Sequence, residues 1–306
     1  MHEIVIDRHN HLIDPEMHIW GYEVPVYLFL GGFAAGLLIL TGYLLFSGKY
    51  KRELSVAKYL PMFSAIALSV GMFFLFLDLE HKLHIFRFYT TFQVTSPMSW
   101  GSWILMLVYP VMILSFLVRV PHKWDEKFPI LGKYSKLIND RPQLIKTIGV
   151  IAMALGGILG LYTGVLLSFF GARPLWNSAL LWLLFLVSGL STAAAFAHVV
   201  SPRDEEKDFF TKADNAFLGI ELIVIFMYIV SFLNSGFVYR EAAFSLLSGA
   251  FAPTFWGLVI VIGIVVPLIL QLLVVNHKLK HTFLVPLMVI LGSLFLRFVI
   301  VYAGQA

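Results

Sequence analysis

The chain has 306 residues, 59% hydrophobic and 13% charged, with a formal net charge of +4 and a mean hydropathy of +0.85. A soluble domain would be near one quarter charged, so a soluble globular protein is excluded and runs of about 20 apolar residues read as membrane spans. The absence of cysteine excludes disulfides, protein-ligated iron–sulfur clusters and cysteine zinc sites within this chain.

The first segment, 1–23, carries Glu3, Asp7, Arg8, Asp14, Glu16 and Glu23 and no apolar stretch, so no cleavable signal peptide is expected. Its histidines, His9, His11 and His18, lack a fixed metal-ligand spacing. Eight apolar runs follow, at 24–46, 59–79, 98–118, 144–170, 175–199, 214–234, 250–275 and 282–302. In lipid each run must satisfy its own backbone, which makes helices the default. Short alternating strands of the barrel type do not occur. The expected fold is an all-α integral membrane protein with eight transmembrane helices.

Lysine and arginine mark the orientation. The loop after the first run holds Lys49, Lys51, Arg52 and Lys58, and the loops after the third, fifth and seventh are also basic. The first segment and the other loops hold Arg8, Lys82, Arg87, Arg173 and Arg240. By the positive-inside rule both termini face outward, across a cell inner (cytoplasmic) membrane. These charges lie in short loops between spans and form no nucleic-acid footprint. The tight turn at 171–174 divides the chain into 24–171 and 172–306, expected as two four-helix bundles. Gly32 and Gly36 in the first run, and Gly156, Gly157, Gly160 and Gly164 in the fourth, suit close helix contact. Pro110 and Pro267 are candidate kinks.

Ionisable residues inside spans cost at least about 2.5 kcal/mol and point to function by default. Glu221 and Arg297 stand out, and Asp214, Glu221 and Tyr228 recur every seven residues on one helix face. A buried ion pair or a polar seam between helices is the plainer explanation. A second set gathers at the outer boundary: Glu23 and Tyr27; Asp78, Glu80, His81 and His84; Arg87; Trp100 and Trp103; then Tyr162, Arg173, Trp176 and Asn177. An interfacial aromatic belt accounts for most of the tryptophans. It accounts less well for the carboxylates, or for Tyr162 inside the apolar run.

Such a set suits a quinone headgroup. Tyr162 or Asn177 offers a hydrogen-bond donor, and Glu23, Asp78 or His81 a proton-exchanging group. The helix surfaces offer an apolar slot. The alternative is a secondary transporter whose Glu221 and Arg297 bind substrate or ion, and a purely structural anchor is the third reading. Of the ten histidines, none lies mid-span, so a haem-carrying subunit is not expected.

Several stretches together resemble the NrfD-like membrane subunits, the family of the polysulfide reductase membrane anchor. They are PVYLFLGGFAAG at 25–36, LDL at 77–79, TSPMSWGSW at 95–103, LYTG at 161–164 with RPLWN at 173–177, and LRFVIVYAGQ at 296–305. The resemblance implies a subunit without haem or iron–sulfur cluster that binds menaquinone or menaquinol near the outer face. It also implies an iron–sulfur electron-transfer partner of the four-cluster type, and a catalytic subunit, often of the molybdopterin type, where the terminal substrate reacts. Tyr162 matches the family's quinone contact. The family's asparagine near the start of span 1 is missing, with Gly21, Tyr22 and Glu23 in that region. A histidine one turn on is replaced by Tyr27, so Glu23 or Tyr27 takes over the contact. Arg173 and Asn177 fix the pocket wall. Arg297, Glu221 and Asp214 match charged residues proposed to carry protons, and the first segment with residues 84–93 forms the docking surface.

Overall fold

The computed structural model describes residues 20–49, 55–79, 81–121, 124, 127–276 and 278–305. Residues 1–19, with His9, His11 and His18, lie outside the described residues, as does Glu80. Among the described residues eight helices are long and apolar enough to span a membrane: α1 (Glu23–Ser47), α2 (Leu60–Asp78), α3 (Pro97–Val118), α4 (Pro142–Ser168), α5 (Ala179–Val200), α6 (Asp204–Leu233), α7 (Thr254–Val275) and α8 (Leu284–Gln305). No strand occurs among the described residues. The chain is a multi-pass, all-helical membrane protein.

Three helices depart from the apolar runs for local reasons. The α6 helix begins at Asp204, ten residues before its apolar run, with Asp204, Glu205 and Glu206 in its first turn. Acidic side chains there meet the positive end of the helix dipole, so the helix extends beyond its apolar part. The α5 helix starts late, at Ala179, where the Ser178 side chain accepts from the Leu180 amide at 3.3 Å and caps it. The first part of α7, Thr254–Val265, is a π-helix that gives way to α-helix at Val266. Pro267 has no N–H to donate and its ring presses on the carbonyl one turn back. The disturbance expected at Pro267 is thus a widened stretch upstream. The shorter helices Arg87–Thr90, Pro129–Asn139 and Phe237–Leu247 have no counterpart among the apolar runs.

The α1 helix lies at the centre. It packs against α2, α4, α5 and α8, and 72% of its most apolar window is buried. Small residues make this possible. A side chain at Gly36 would strike the Gly189 carbonyl of α5 and the Ala193 methyl, so two backbones meet there with nothing between them. Gly157 differs from its neighbours, because a side chain there would meet open space. The remaining neighbours are α2 with α3, α3 with α4, α4 with α5, α5 with α6 and α8, and α7 with α6 and α8. The Ser64 hydroxyl binds the Ala34 carbonyl at 2.7 Å, tying α2 to α1.

The turn between α4 and α5 is pinned by its own polar residues. Trp176 is fully buried, donates Nε1–H to the Ile300 carbonyl at 2.9 Å and stacks on Trp20. Arg173 donates to the Gln305 carbonyl at 3.0 Å. The Gln305 side chain exchanges hydrogen bonds with the Trp20 backbone at 3.1 and 3.3 Å. The start and the end of the described chain are thereby clasped together over the turn.

Candidate functional site

The helix ends build a pocket. Tyr27 comes from the first turns of α1, Asp78 from the last residue of α2, Met98, Gly101 and Ser102 from the start of α3, and Tyr162 from the last turns of α4. All lie at one end of the spans. The pocket is partly open, and the space of about 710 Å³ between its lining atoms includes the open mouth. Its walls are mostly apolar, with Met72, Leu75, Phe76, Leu105 and Leu166 below and Ile85, Phe88 and Tyr89 above.

The roof is held by side chains of α3. Ser102 donates to the Phe88 carbonyl at 2.6 Å. Ser99 donates to the Thr91 carbonyl at 3.2 Å and accepts the Gln93 amide at 3.0 Å. Trp100 donates to the Val94 carbonyl at 2.7 Å. The TSPMSWGSW run therefore works by fastening the segment 81–94 over the pocket. Partial burial pushes the Tyr89 phenol above the ordinary tyrosine value, and Tyr109 adds to this, so Tyr89 stays a neutral donor near neutral pH.

Tyr162 is 6% exposed and Tyr27 2%. Tyr162 lies flat against Gly101, where any side chain would overlap its hydroxyl. Asp78 is half-buried, and the Glu23 carboxylate is within electrostatic reach of it. Glu23 itself is not in the lining, nor is the exposed His81. Arg173 and Asn177 also lie away from it. Arg173 is engaged by Gln305, and Asn177 donates to the Tyr239 hydroxyl at 3.1 Å. Of the candidates at this end, the structure brings together Tyr162, Tyr27 and Asp78. Tyr89, Gly101 and Ser102 join them although the sequence does not mark them as site residues. Gly101 and Ser102 belong to the TSPMSWGSW stretch, but nothing in their spacing shows which would face inward.

A second polar group runs through α5, α6, α7 and α8. Arg297 is fully buried. Its guanidinium donates to the Ser188 and Ser293 hydroxyls, both at 2.6 Å, and to the Ser293 and Phe185 carbonyls at 2.9 and 3.1 Å. It also lies over the Phe185 ring, 5.0 Å from its centre. Glu221 is buried and meets the same Ser188 hydroxyl. In place of a plain ion pair between Glu221 and Arg297, the structure has a hydroxyl-bridged arrangement. Asp214 accepts from Ser191 at one carboxylate oxygen and from Gln271 at the other, each at 2.6 Å. Tyr228 donates to the Leu175 carbonyl. The serines escape sequence reading because isolated hydroxyls are common in spans. Gln271, an amide within an apolar run, is the one signal that could have found this group from the other side. Among the described residues no group of three His, Asp or Glu side chains gathers to hold a metal.

The family model "Polysulphide reductase, NrfD" matches residues 10–306. The chain is similar to the C subunit of polysulfide reductase from Wolinella succinogenes, 27% identical over 303 residues and 94% of each protein. It is similar to a protein NrfD homolog of Haemophilus influenzae, 28% identical over 305 residues and 94% of each protein. Protein NrfD of Escherichia coli is 27% identical over 310 residues, covering 95% of this chain and 96% of that one. With eight spans and a match over nearly its whole length, the chain belongs to the NrfD polysulphide reductase family.

Proposed function

We propose that the chain is the quinone-reactive membrane subunit of a respiratory oxidoreductase complex, taking menaquinone or menaquinol in the pocket beneath the 81–94 roof. The observation that carries this is the lining. Two buried phenols and a carboxylate sit at the head of a mostly apolar slot at the membrane boundary. A quinone carbonyl needs a donor, its reduction or oxidation needs a proton acceptor, and its tail needs an apolar wall. Tyr162 and Tyr27 supply the first, Asp78 with Glu23 nearby the second, and Met72, Leu75 and Leu105 the third.

In this reading α1–α4 and α5–α8 form two four-helix bundles, and both termini lie on the outer side of the inner membrane. The pocket is then an outer-face site. The chain has no cysteine to hold a cluster, so electrons pass to or from an iron–sulfur subunit. That partner docks on the exposed roof, where Leu83, Phe86, Phe92 and Val94 all face outward, together with the first segment. A further, molybdopterin-type subunit handles the terminal substrate. The name of the Wolinella succinogenes relative, a reductase subunit, supports such an assembly. Asp214, Glu221 and Arg297 form a proton route through the second bundle. A transporter reading has less support, because the terminal nitrogens of Arg297 are already engaged by Ser188, Ser293 and Phe185.

The test is Tyr162→Phe in the purified complex, assayed for quinol-linked electron transfer and for binding of a quinol analogue. Losing one hydrogen bond of about 0.5–1.5 kcal/mol should weaken analogue binding roughly 3- to 10-fold. Parent-like binding and turnover would remove Tyr162 from the site.

A further inference from the structure

At the end of the spans opposite the pocket, three side chains stand in line. Asp208, on the first turns of α6, is 36% exposed, and its carboxylate lies 3.0 Å from His281 Nε2. His281 Nδ1 lies 3.1 Å from Nε2 of His198, at the end of α5. His198 is 7% exposed, and its other nitrogen, Nδ1, is buried without a protein partner. Beside it lies a small, partly open cavity with room for about one water, lined by His198, Thr211, Asp214, Gln271 and His281. The Gln271 amide oxygen is buried and unpartnered too, while its Nε2 holds Asp214. Two orphaned polar atoms at one small polar cavity are the setting in which proteins hold buried water.

We infer that Asp208, His281 and His198 form the mouth of a proton conduit leading from that face, through the cavity, to Asp214. This rests on the proposed quinone reading and its proton route, to which it adds the place where protons cross the surface. The contacts place both ring protons on Nε2: His281 Nε2–H donates to Asp208, and His198 Nε2–H donates to His281 Nδ1. In this state the step balances outward. The cavity gives a proton to His198 Nδ1, His198 passes its Nε2 proton to His281 Nδ1, and His281 passes its Nε2 proton to water at Asp208. One N–H bond forms and one breaks on each ring. The rings then carry their protons on Nδ1, which suits a transfer in the opposite direction. Lys207 and Asp204 on α6, paired at 3.0 Å, are the other charged groups facing His198. Asp208 is the carboxylate in line.

A purely structural role would predict the same contacts, so the test is chemical rescue. The complex is reconstituted in vesicles with a pH dye on the side of this mouth, and quinone-linked turnover is started. In His281→Ala, proton movement and turnover should fall about tenfold or more, and added imidazole should restore both. Asp214→Asn should fall without rescue. His281→Gln, which keeps a hydrogen bond but relays no proton, guards against simple misfolding and should behave as His281→Ala does before rescue. If His281→Ala and His281→Gln keep parent rates while Asp214→Asn does not, the mouth lies elsewhere and the route stands. If Asp214→Asn also keeps parent rates, the route itself falls. A folded His281→Ala that imidazole fails to restore overturns the relay.

Discussion

Arg297 meets its surroundings through neutral oxygen atoms, two serine hydroxyls and two backbone carbonyls, with Glu221 one hydroxyl away. A planar guanidinium reaches these partners in several directions at once, which an ammonium cannot do. Arg297→Lys should therefore lower the thermal unfolding midpoint in detergent, by the loss of about 1–3 kcal/mol in hydrogen bonds; an unchanged midpoint would show that the fan of contacts contributes little. At the pocket, Gly101→Ala places a methyl group on the Tyr162 hydroxyl. It should weaken quinol-analogue binding more than Tyr162→Phe does, because it displaces the ring as well as the donor; equal or better binding would put the ligand elsewhere. At this scale the sequence is informative wherever a charge or phenol interrupts oil, as at Tyr162, Asp214 and Arg297. It is silent on Ser188, Ser191 and Ser293, whose importance comes from meeting across helices. It overvalues Arg173 and Asn177 for the pocket, since crowding along the chain does not reveal that they are engaged by Gln305 and Tyr239.

Among the helices, α1 shows how small residues set distance. Gly36 abuts the backbone of α5, whereas Gly157 of α4 has open space before it. Gly36→Leu should cost about 1–3 kcal/mol through overpacking. Gly157→Ala should be neutral or stabilise by up to about 1 kcal/mol through helix propensity. Unfolding of the two variants side by side in detergent checks the contrast, and equal effects would mean that close packing is not what Gly36 supplies. Hydropathy makes all eight spans legible because 20 apolar residues in a row leave few alternatives. It does not show that α6 begins in acidic residues, since a helix can outrun the membrane, nor that α7 opens as a π-helix, since that depends on how the backbone relaxes upstream of Pro267. The short helix Pro129–Asn139 is hidden for a related reason. Its buried Gly132 and Ile138 become a face only once α3 and α4 are beside it.

For the whole molecule, Trp176 joins the central turn to the far end of the chain. It fills the space beside Gly304 and hydrogen-bonds α8. Trp176→Ala should cost about 3–5 kcal/mol and leave the Ile300 carbonyl unpaired. Loss of assembly with the partner subunits, read by co-purification, should accompany it if the turn organises that face; intact assembly would confine Trp176 to stability. At this scale the sequence carries two signals, the bias of basic residues toward alternate loops and the tight turn at 171–174. It carries none for the reach of α1 across to α5 and α8, because such pairings leave no periodic trace.

The clasp between Trp20 and Gln305 has one more implication. The residues just before α1 and the end of α8 hydrogen-bond each other, so with residues 1–19 removed a short linker would join them. Linking them and opening the chain instead in the exposed stretch at Asn139–Asp140 would reorder the spans along the gene while leaving every helix beside its present neighbours. Such a permuted protein should insert and retain the pocket, and its cut ends would report from the face opposite the clasp.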